Sequence, residues 1–252
     1  MFKSGRGDRQ AGFAPDIGGM SYLDFLEILA AKRETRNYLE IGVHYGDMLA
    51  RIACDTALGI DPGFILAHDV TQRKRRTLLY RCTSDSYFAG NDTCALLGGG
   101  LDLAFLDGLH QFEFLLRDFY NTEAACDPNG LIVLHDCMPL NVEMTTRDPE
   151  APRTDGLSGM WTGDVWKLVP ILREHRPDLD IHLVDCQPTG LVCVTGLDPT
   201  SRVLRDRYRT IVRSQRNPAD PAAAIAAMYA AEPILRSADI LNGADHSLYF
   251  RL

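Results

Sequence analysis

Glu40, Gly42, Gly46 and Asp61 are the residues whose types and spacing point most directly to chemistry. They sit in the stretch NYLEIGVHYGDMLARIACDTALGID, from Asn37 to Asp61, where an apolar run ends in an acid, two glycines follow, and a second apolar run delivers another acid. Gly42 lets the backbone turn sharply and leaves no side chain where a ligand must lie close, and Gly46 relieves crowding where a helix starts. Asp61, about 20 residues beyond the first acid, is placed to accept both hydroxyls of a ribose. The spacing departs from the dinucleotide fingerprint G-x-G-x-x-G, because two glycines remain and the strand ends in a carboxylate. Glu40 would repel a pyrophosphate, whereas it would favour a cofactor carrying an ammonium and a sulfonium.

To hold these residues together the chain needs a βαβ unit with its ligand at the carboxyl ends of the strands. The pattern predicts a strand from Tyr38, a helix to about Cys54 and a second strand from Ala57 to Ile60. Upstream, Ser21-Tyr22-Leu23-Asp24 opens a helix to about Glu34 with Tyr22, Phe25, Leu26 and Leu29 on its apolar side. Downstream, the run Arg73-Lys74-Arg75-Arg76 reads as a solvated helix end before a third strand around Thr77 to Cys82. Ser84 and Asp85 at the end of that strand either contact an adenine edge or cap a helix, and the residues leave both readings open.

A helix around Asn91 to Leu97 and the turn Gly98-Gly99-Gly100 lead to a fourth strand, Leu101 to Leu106, ending in Asp107-Gly108-Leu109-His110. The helix from about Phe112 to Cys126 is closed by Asp127-Pro128-Asn129-Gly130. The fifth strand, Leu131 to Leu134, is uniformly apolar, as in the middle of a sheet covered on both faces, and ends in His135-Asp136. Residues Cys137 to Gly159 make too long a connection for an ordinary loop and are a candidate substrate lid. After a helix from Trp161 to about His175, strands Ile181 to Cys186 and Gly190 to Thr195 form an antiparallel hairpin at the sheet edge.

The predicted fold is therefore α/β: a doubly wound, Rossmann-like sheet, mostly parallel, with a C-terminal antiparallel hairpin and helices on both faces. Residues 1–20 read as a mobile arm, 21–200 as the domain, and 201–252 as a helical extension that packs across the domain or makes a homodimer contact. The formal charge of −8 argues against nucleic acid and anionic membranes as partners. No run approaches the roughly 18 apolar residues of a membrane span, and MFKSGRGDRQ lacks a signal-peptide core, so the expected compartment is the cytoplasm. The seven cysteines include no C-x-x-C pair and read as reduced packing residues.

Three successive strand ends thus carry acids, and residues 37–197 resemble the class I S-adenosylmethionine-dependent methyltransferases of the methyltransferase domain 24 type. The segments that carry the resemblance are YLEIGVHYGD, ALGIDP, LAFLDGLHQFEFLLRDF, GLIVLHDCMP and GDVWKLVPIL. It implies S-adenosylmethionine as cofactor, with Glu40, Gly42 and Gly46 bordering its methionine part and Asp61 binding the ribose. Ser84 and Asp85 would contact the adenine, and Asp107 would complete the cofactor site. The implied acceptor is a small molecule, methylated at a hydroxyl of a sugar or secondary metabolite. His110 and His135, just beyond adjacent strands, are the candidates for general base. Catechol-type relatives hold magnesium with acids at the ends of their fourth and fifth strands. The corresponding residues here are Asp107, His135 and Asp136, and the imidazole favours manganese, iron or zinc over magnesium. Trp161 and Trp166 read as packing residues, Trp161 also walling the acceptor site. Two rivals are an NAD-linked oxidoreductase, disfavoured by the missing third glycine and the hairpin, and a non-catalytic cofactor-binding partner subunit.

Overall fold

Ser21 opens the first helix by accepting the Leu23 amide at 3.2 Å, and α1 (Tyr22–Lys32) buries Phe25, Leu26, Leu29 and Ala30. The βαβ unit follows as β1 (Asn37–Ile41), α2 (Asp47–Arg51) and β2 (Cys54–Ile60). Next come β3 (Lys74–Tyr80), α3 (Ser84–Gly90), α4 (Thr93–Leu97), β4 (Leu101–Leu106), α5 (Phe112–Glu123) and β5 (Cys126–His135). The remainder comprises α6 (Leu168–His175), β6 (Asp180–Val184), β7 (Leu191–Thr195), α7 (Val203–Gln215), α8 (Pro221–Ala231), β8 (Ile234–Leu235) and α9 (Ser237–Asn242). The structure, a computed structural model, describes residues 15–151, 160–216 and 220–243. Most of the expected arm and the end of the expected lid fall outside the described residues. No helix among those described is long and apolar enough to cross a membrane.

One sheet carries all eight strands in the order β3-β2-β1-β4-β5-β7-β6-β8. The five strands β3 to β5 are parallel, β7 lies antiparallel between β5 and β6, and β8 is parallel to β6. This is the expected Rossmann-like arrangement, and the inserted antiparallel β7 separates it from an all-parallel dinucleotide sheet. Strand order reverses between β1 and β4, so the connections leaving their carboxyl ends diverge and open a crevice. Alternation along each strand divides the core in two. Leu39, Ile41, Leu58 and Ile60 pack beneath α5 and α6, while Tyr38, Ala57, Leu103 and Val133 pack with α1 and α9 on the other face.

Several expected elements differ in position. Lys74, Arg75 and Arg76 form the start of β3, not a helix end, because the ladder to Cys54 and Thr56 extends the strand through the basic run. Asp127-Pro128-Asn129-Gly130 lies within β5, where Leu101 pairs with Cys126 but Leu103 with Leu131. The turn-forming residues therefore make an irregularity in a strand, and α5 has already ended at Glu123. The hairpin is not the sheet edge, since Ile234 and Leu235 add alongside Leu183 and Val184. Residues at the arm's end are also engaged, with the Gly19 amide bonded to the Asp185 carbonyl and the Met20 carbonyl accepting the Gln187 amide.

Glu40 shares the face of Tyr38, because the two are separated by one residue along β1. It is 2% exposed and accepts the Tyr38 hydroxyl at 2.7 Å. Burial raises its pKa from 4.5 to about 8, against the opposing effect of the Tyr38 hydrogen bond. The folded protein thus binds a proton that the unfolded chain has released above the ordinary carboxylate range, so Glu40 lowers stability progressively as pH rises toward 8. Glu40→Gln should flatten that decline: between pH 5 and pH 8 the melting temperature of the variant falls less than that of the wild type. Parallel melting curves for the two would contradict it.

Candidate cofactor and acceptor site

A cavity of about 680 Å³ opens at the carboxyl ends of the strands. Its walls come from Ile41, Gly42 and His44 after β1, from Ile60, Asp61 and Pro62 after β2, and from Thr83, Ser84 and Asp85 at the start of α3. Asp107 to His110 after β4, Phe114 and Asp118 of α5, and Trp161 complete it.

The position of Gly42 follows from backbone contact. Its φ is +90°, and a Cβ there would lie 1.9 Å from the Asp107 carbonyl oxygen. Only glycine allows β1 and β4 to converge this closely while the chain turns out of the sheet. Gly46 (φ +82°) starts α2 against Val70, where a Cβ would stand 2.7 Å from Val70 Cγ1, and does not line the cavity. Asp61 is fixed through both carboxylate oxygens: the His44 amide donates to Oδ2 at 2.8 Å and the Gly63 amide to Oδ1 at 2.6 Å. Each oxygen retains acceptor capacity toward the cavity, the arrangement a ribose diol requires.

At the adenine end of the expected site, Thr83, not Ser84 or Asp85, caps α3 by accepting the Ser86 amide at 3.2 Å. Asp85 makes a two-point ion pair with Arg117, Nε to Oδ1 at 2.7 Å and Nη2 to Oδ2 at 2.8 Å. Arg117 also donates to the Tyr208 hydroxyl on α7, so the C-terminal extension braces this wall. Ser84 hydrogen-bonds Asp118, a carboxyl group only 3% exposed.

At the opposite end, two acids and two histidines converge. His110 Nε2 lies 3.3 Å from Asp107 Oδ1 and 3.4 Å from Asp136 Oδ2. Its Nδ1 is 3.0 Å from the Trp161 carbonyl oxygen, which accepts only, so Nδ1 carries a proton. The Trp161 ring stacks on the imidazole at a centroid distance of 4.8 Å. His135 Nδ1 meets the same carboxylates, 3.2 Å from Asp107 and 3.3 Å from Asp136. Burial alone would lower both imidazole pKa values. For His110 the Asp107 hydrogen bond and the Asp136 charge overcome it, and for His135 the charges of Asp136 and Asp107 do so more strongly. Asp107 in turn is held well below the usual carboxylate range despite burial, chiefly by the His135 charge and the hydrogen bonds from both histidines.

The cavity thus collects Gly42, Asp61, Ser84, Asp85, Asp107 and His110, while Glu40, Gly46, His135 and Asp136 stand outside its lining. Glu40 is on the wrong face of β1, turned to Tyr38, and being protonated at neutral pH it offers no charge to a sulfonium. His135 lies behind Asp107 against the Tyr22 ring, 4.4 Å away, with its Nε2 buried and unbonded. Among the described residues, the acid and histidine ligands able to converge on one ion are Asp107, His110 and Asp136, whose donor atoms lie within 4.8 Å of one another. His110 therefore takes the place expected for His135. Asp136 reaches this group from a left-handed backbone conformation (φ +56°), with the Thr189 hydroxyl donating to its other oxygen at 2.7 Å.

The described part of the expected lid is tied down. The Trp161 indole donates to the Thr146 carbonyl at 2.6 Å, and Arg147 bridges Glu113 and the buried Asp164. Asp118 and the Trp161 carbonyl were not foreseen as site groups. Asp118 left a signal, an acid between Leu115 and Thr122 on the apolar face of α5.

Residues 39–137 match the family described as methyltransferase domain. The match covers less than half of the chain, and over that segment the chain resembles a methyltransferase domain. No curated protein matches the chain. Among solved structures, cofactor-bound Rv0187 from MTB superposes on this chain with a TM-score of 0.50 at 16% identity, covering 69% of this chain and 78% of that one. The O-methyltransferase TomG from Streptomyces achromogenes, in complex with SAM, gives 0.47 at 16% identity over 69% and 78%. An O-methyltransferase from Bacillus cereus in complex with SAH gives 0.47 at 14% over 74% and 84%. At such identities the likeness is one of fold.

Gly42→Ala should destabilise the fold by at least about 2 kcal/mol, since it combines a left-handed φ with a backbone clash. Chemical denaturation measures this, and an unchanged midpoint would contradict the close approach of β1 and β4.

Proposed function

We propose that the chain is an S-adenosylmethionine-dependent O-methyltransferase acting on a hydroxyl of a small molecule, of the sugar or secondary-metabolite kind. The observation that carries this reading is that one cavity is lined by Asp61, by the Gly42 turn, and by Asp107 and His110 of the acid and histidine cluster. The family match and neighbours crystallised with SAM or SAH support the cofactor.

Methyl transfer is an in-line displacement: the acceptor oxygen forms a bond to the methyl carbon as the carbon–sulfur bond breaks, and the acceptor proton leaves. The protein mostly supplies alignment and exclusion of water. Asp61 and the Gly42 turn orient the cofactor, and Trp161 walls the acceptor side. His110 is the residue placed to take the proton at Nε2, with Nδ1 anchored on the Trp161 carbonyl. Because its pKa is raised, the fraction able to accept a proton grows as pH rises above neutrality, and activity should rise with it.

A divalent ion fits the same residues as an alternative to the base role, since an Nε2 that ligates an ion has no lone pair left to accept a proton. The His110 Nδ1–H is held by a carbonyl, as in metal-ligating histidines, leaving Nε2 directed at two carboxylates. Asp107, His110 and Asp136 would hold it, with manganese better suited than magnesium to the imidazole. Such an ion would lower the pKa of the acceptor hydroxyl.

S-adenosylhomocysteine should raise the melting temperature and NAD should not. Asp61→Ala should weaken S-adenosylhomocysteine binding at least about tenfold by calorimetry, while unchanged affinity would remove Asp61 from the site. With an acceptor in hand, His110→Ala should lower kcat by about 10²–10⁴ while cofactor affinity stays within about threefold. Full activity in that variant would exclude His110 as base.

A further inference from the structure

Helix α7 carries a row of like charge on the side that it does not pack. Leu204 and Ile211 are buried in the core, while Arg202, Arg205, Arg209, Arg213 and Arg216 are all exposed. These arginines stand three, four, four and three residues apart, which gathers them within an arc of about 80° over about 21 Å of helix. Residues 202–216 hold six arginines against one acid, Asp206, a net charge of +5 that leaves −13 on the rest of a chain of −8. Arg202 lies 3.5 Å from Asp206, and Arg205 donates to Asn121 Oδ1 at 2.9 Å over the Tyr120 ring. The side chains of Arg209, Arg213 and Arg216 have no hydrogen-bond or ion-pair partner among the described residues. Arginines at i and i+4 repel, so the row lowers the stability of the helix, and an anionic surface laid along it reverses that effect.

We propose that this face of α7 docks an acidic protein, one that presents Asp and Glu side chains in a row of similar length. Charge complementarity decides the occupant. A nucleic-acid duplex or an anionic bilayer extends well past the row and would set its own charge against the acidic remainder of the chain. A small acidic protein touches the row alone, and at physiological salt charges more than about 8 Å away are largely screened. A second copy meeting this face across a two-fold axis would bring one arginine row against the other. The residues outside those described do not supply the anion either. Residues 1–14, 152–159, 217–219 and 244–252 hold three isolated acids, Asp8, Asp155 and Asp245, against five lysines and arginines.

Fluorescence anisotropy of a labelled poly-L-glutamate peptide of about 20 residues, titrated with the full chain in about 50 mM salt, tests this. The wild type should bind the peptide saturably, and at least about tenfold more weakly in about 300 mM salt. The double reversal Arg209→Glu with Arg213→Glu should lower the affinity at least about tenfold without lowering the melting temperature, since it relieves repulsion along the row. No binding by the wild type, or full affinity in the folded double variant, would overturn the proposal. Tighter binding of a DNA duplex of about 20 base pairs, or of phosphatidylserine vesicles, than of the peptide would overturn it in favour of those anions. A wild-type dimer in sedimentation that the double variant abolishes would also overturn it, since the occupant would then be a second copy.

Discussion

The contact between Gly42 and the backbone of Asp107 is the constraint on which the site depends. A side chain of any size at Gly42 would collide with the Asp107 carbonyl, and the amides of Gly42 and Asp107 are bonded to Ile60 and Ile41 respectively. Three neighbouring strands therefore end in register, and the residues that follow are forced outward along one rim. Asp61 and Asp107 owe their positions to that geometry. The side chains around them that pack the sheet are, by comparison, replaceable by others of similar volume.

Electrostatics divides the cavity into two halves. In one, carboxyl groups are held singly, by backbone amides at Asp61, by a guanidinium at Asp85 and by a hydroxyl at Asp118. In the other, Asp107 in the lining and Asp136 outside it face two imidazoles whose raised proton affinity balances the acids within a few ångströms. That balance lets two carboxylates share a buried site, because unpaired they would repel one another and one would take up a proton. His110 contributes to it from the cavity lining, and His135 from outside that lining.

Much of the fold was legible because its strands are apolar runs of strand length with acids at their ends. The strands β1 and β4, the Leu131 to Leu134 part of β5 and the β6 and β7 hairpin fall where periodicity and punctuation place them. The two-residue β8 has no such period, and a ladder to β6 creates it only in the folded sheet. Asp127 to Gly130 has turn chemistry, yet Gly130 is needed where a Cβ would meet the Leu101 carbonyl at 2.8 Å, so tertiary pairing overrides the local stop signal. For the site, residues at strand ends were recoverable, but the face each presents was not read. Parity along β1 separates Glu40 from Ile41, which lines the cavity, and assigns the carboxyl to the Tyr38 face. Asp118 comes from a helix face, and motif spacing alone does not reach it.

The most direct measurement is a crystal structure of the protein with S-adenosylhomocysteine bound. The account requires the ribose hydroxyls on the Asp61 carboxylate and the sulfur between the Gly42 turn and Asp107. Ligand bound instead at the opposite end of the strands, in the polar cleft lined by Arg36, Arg75 and Arg76, would contradict it.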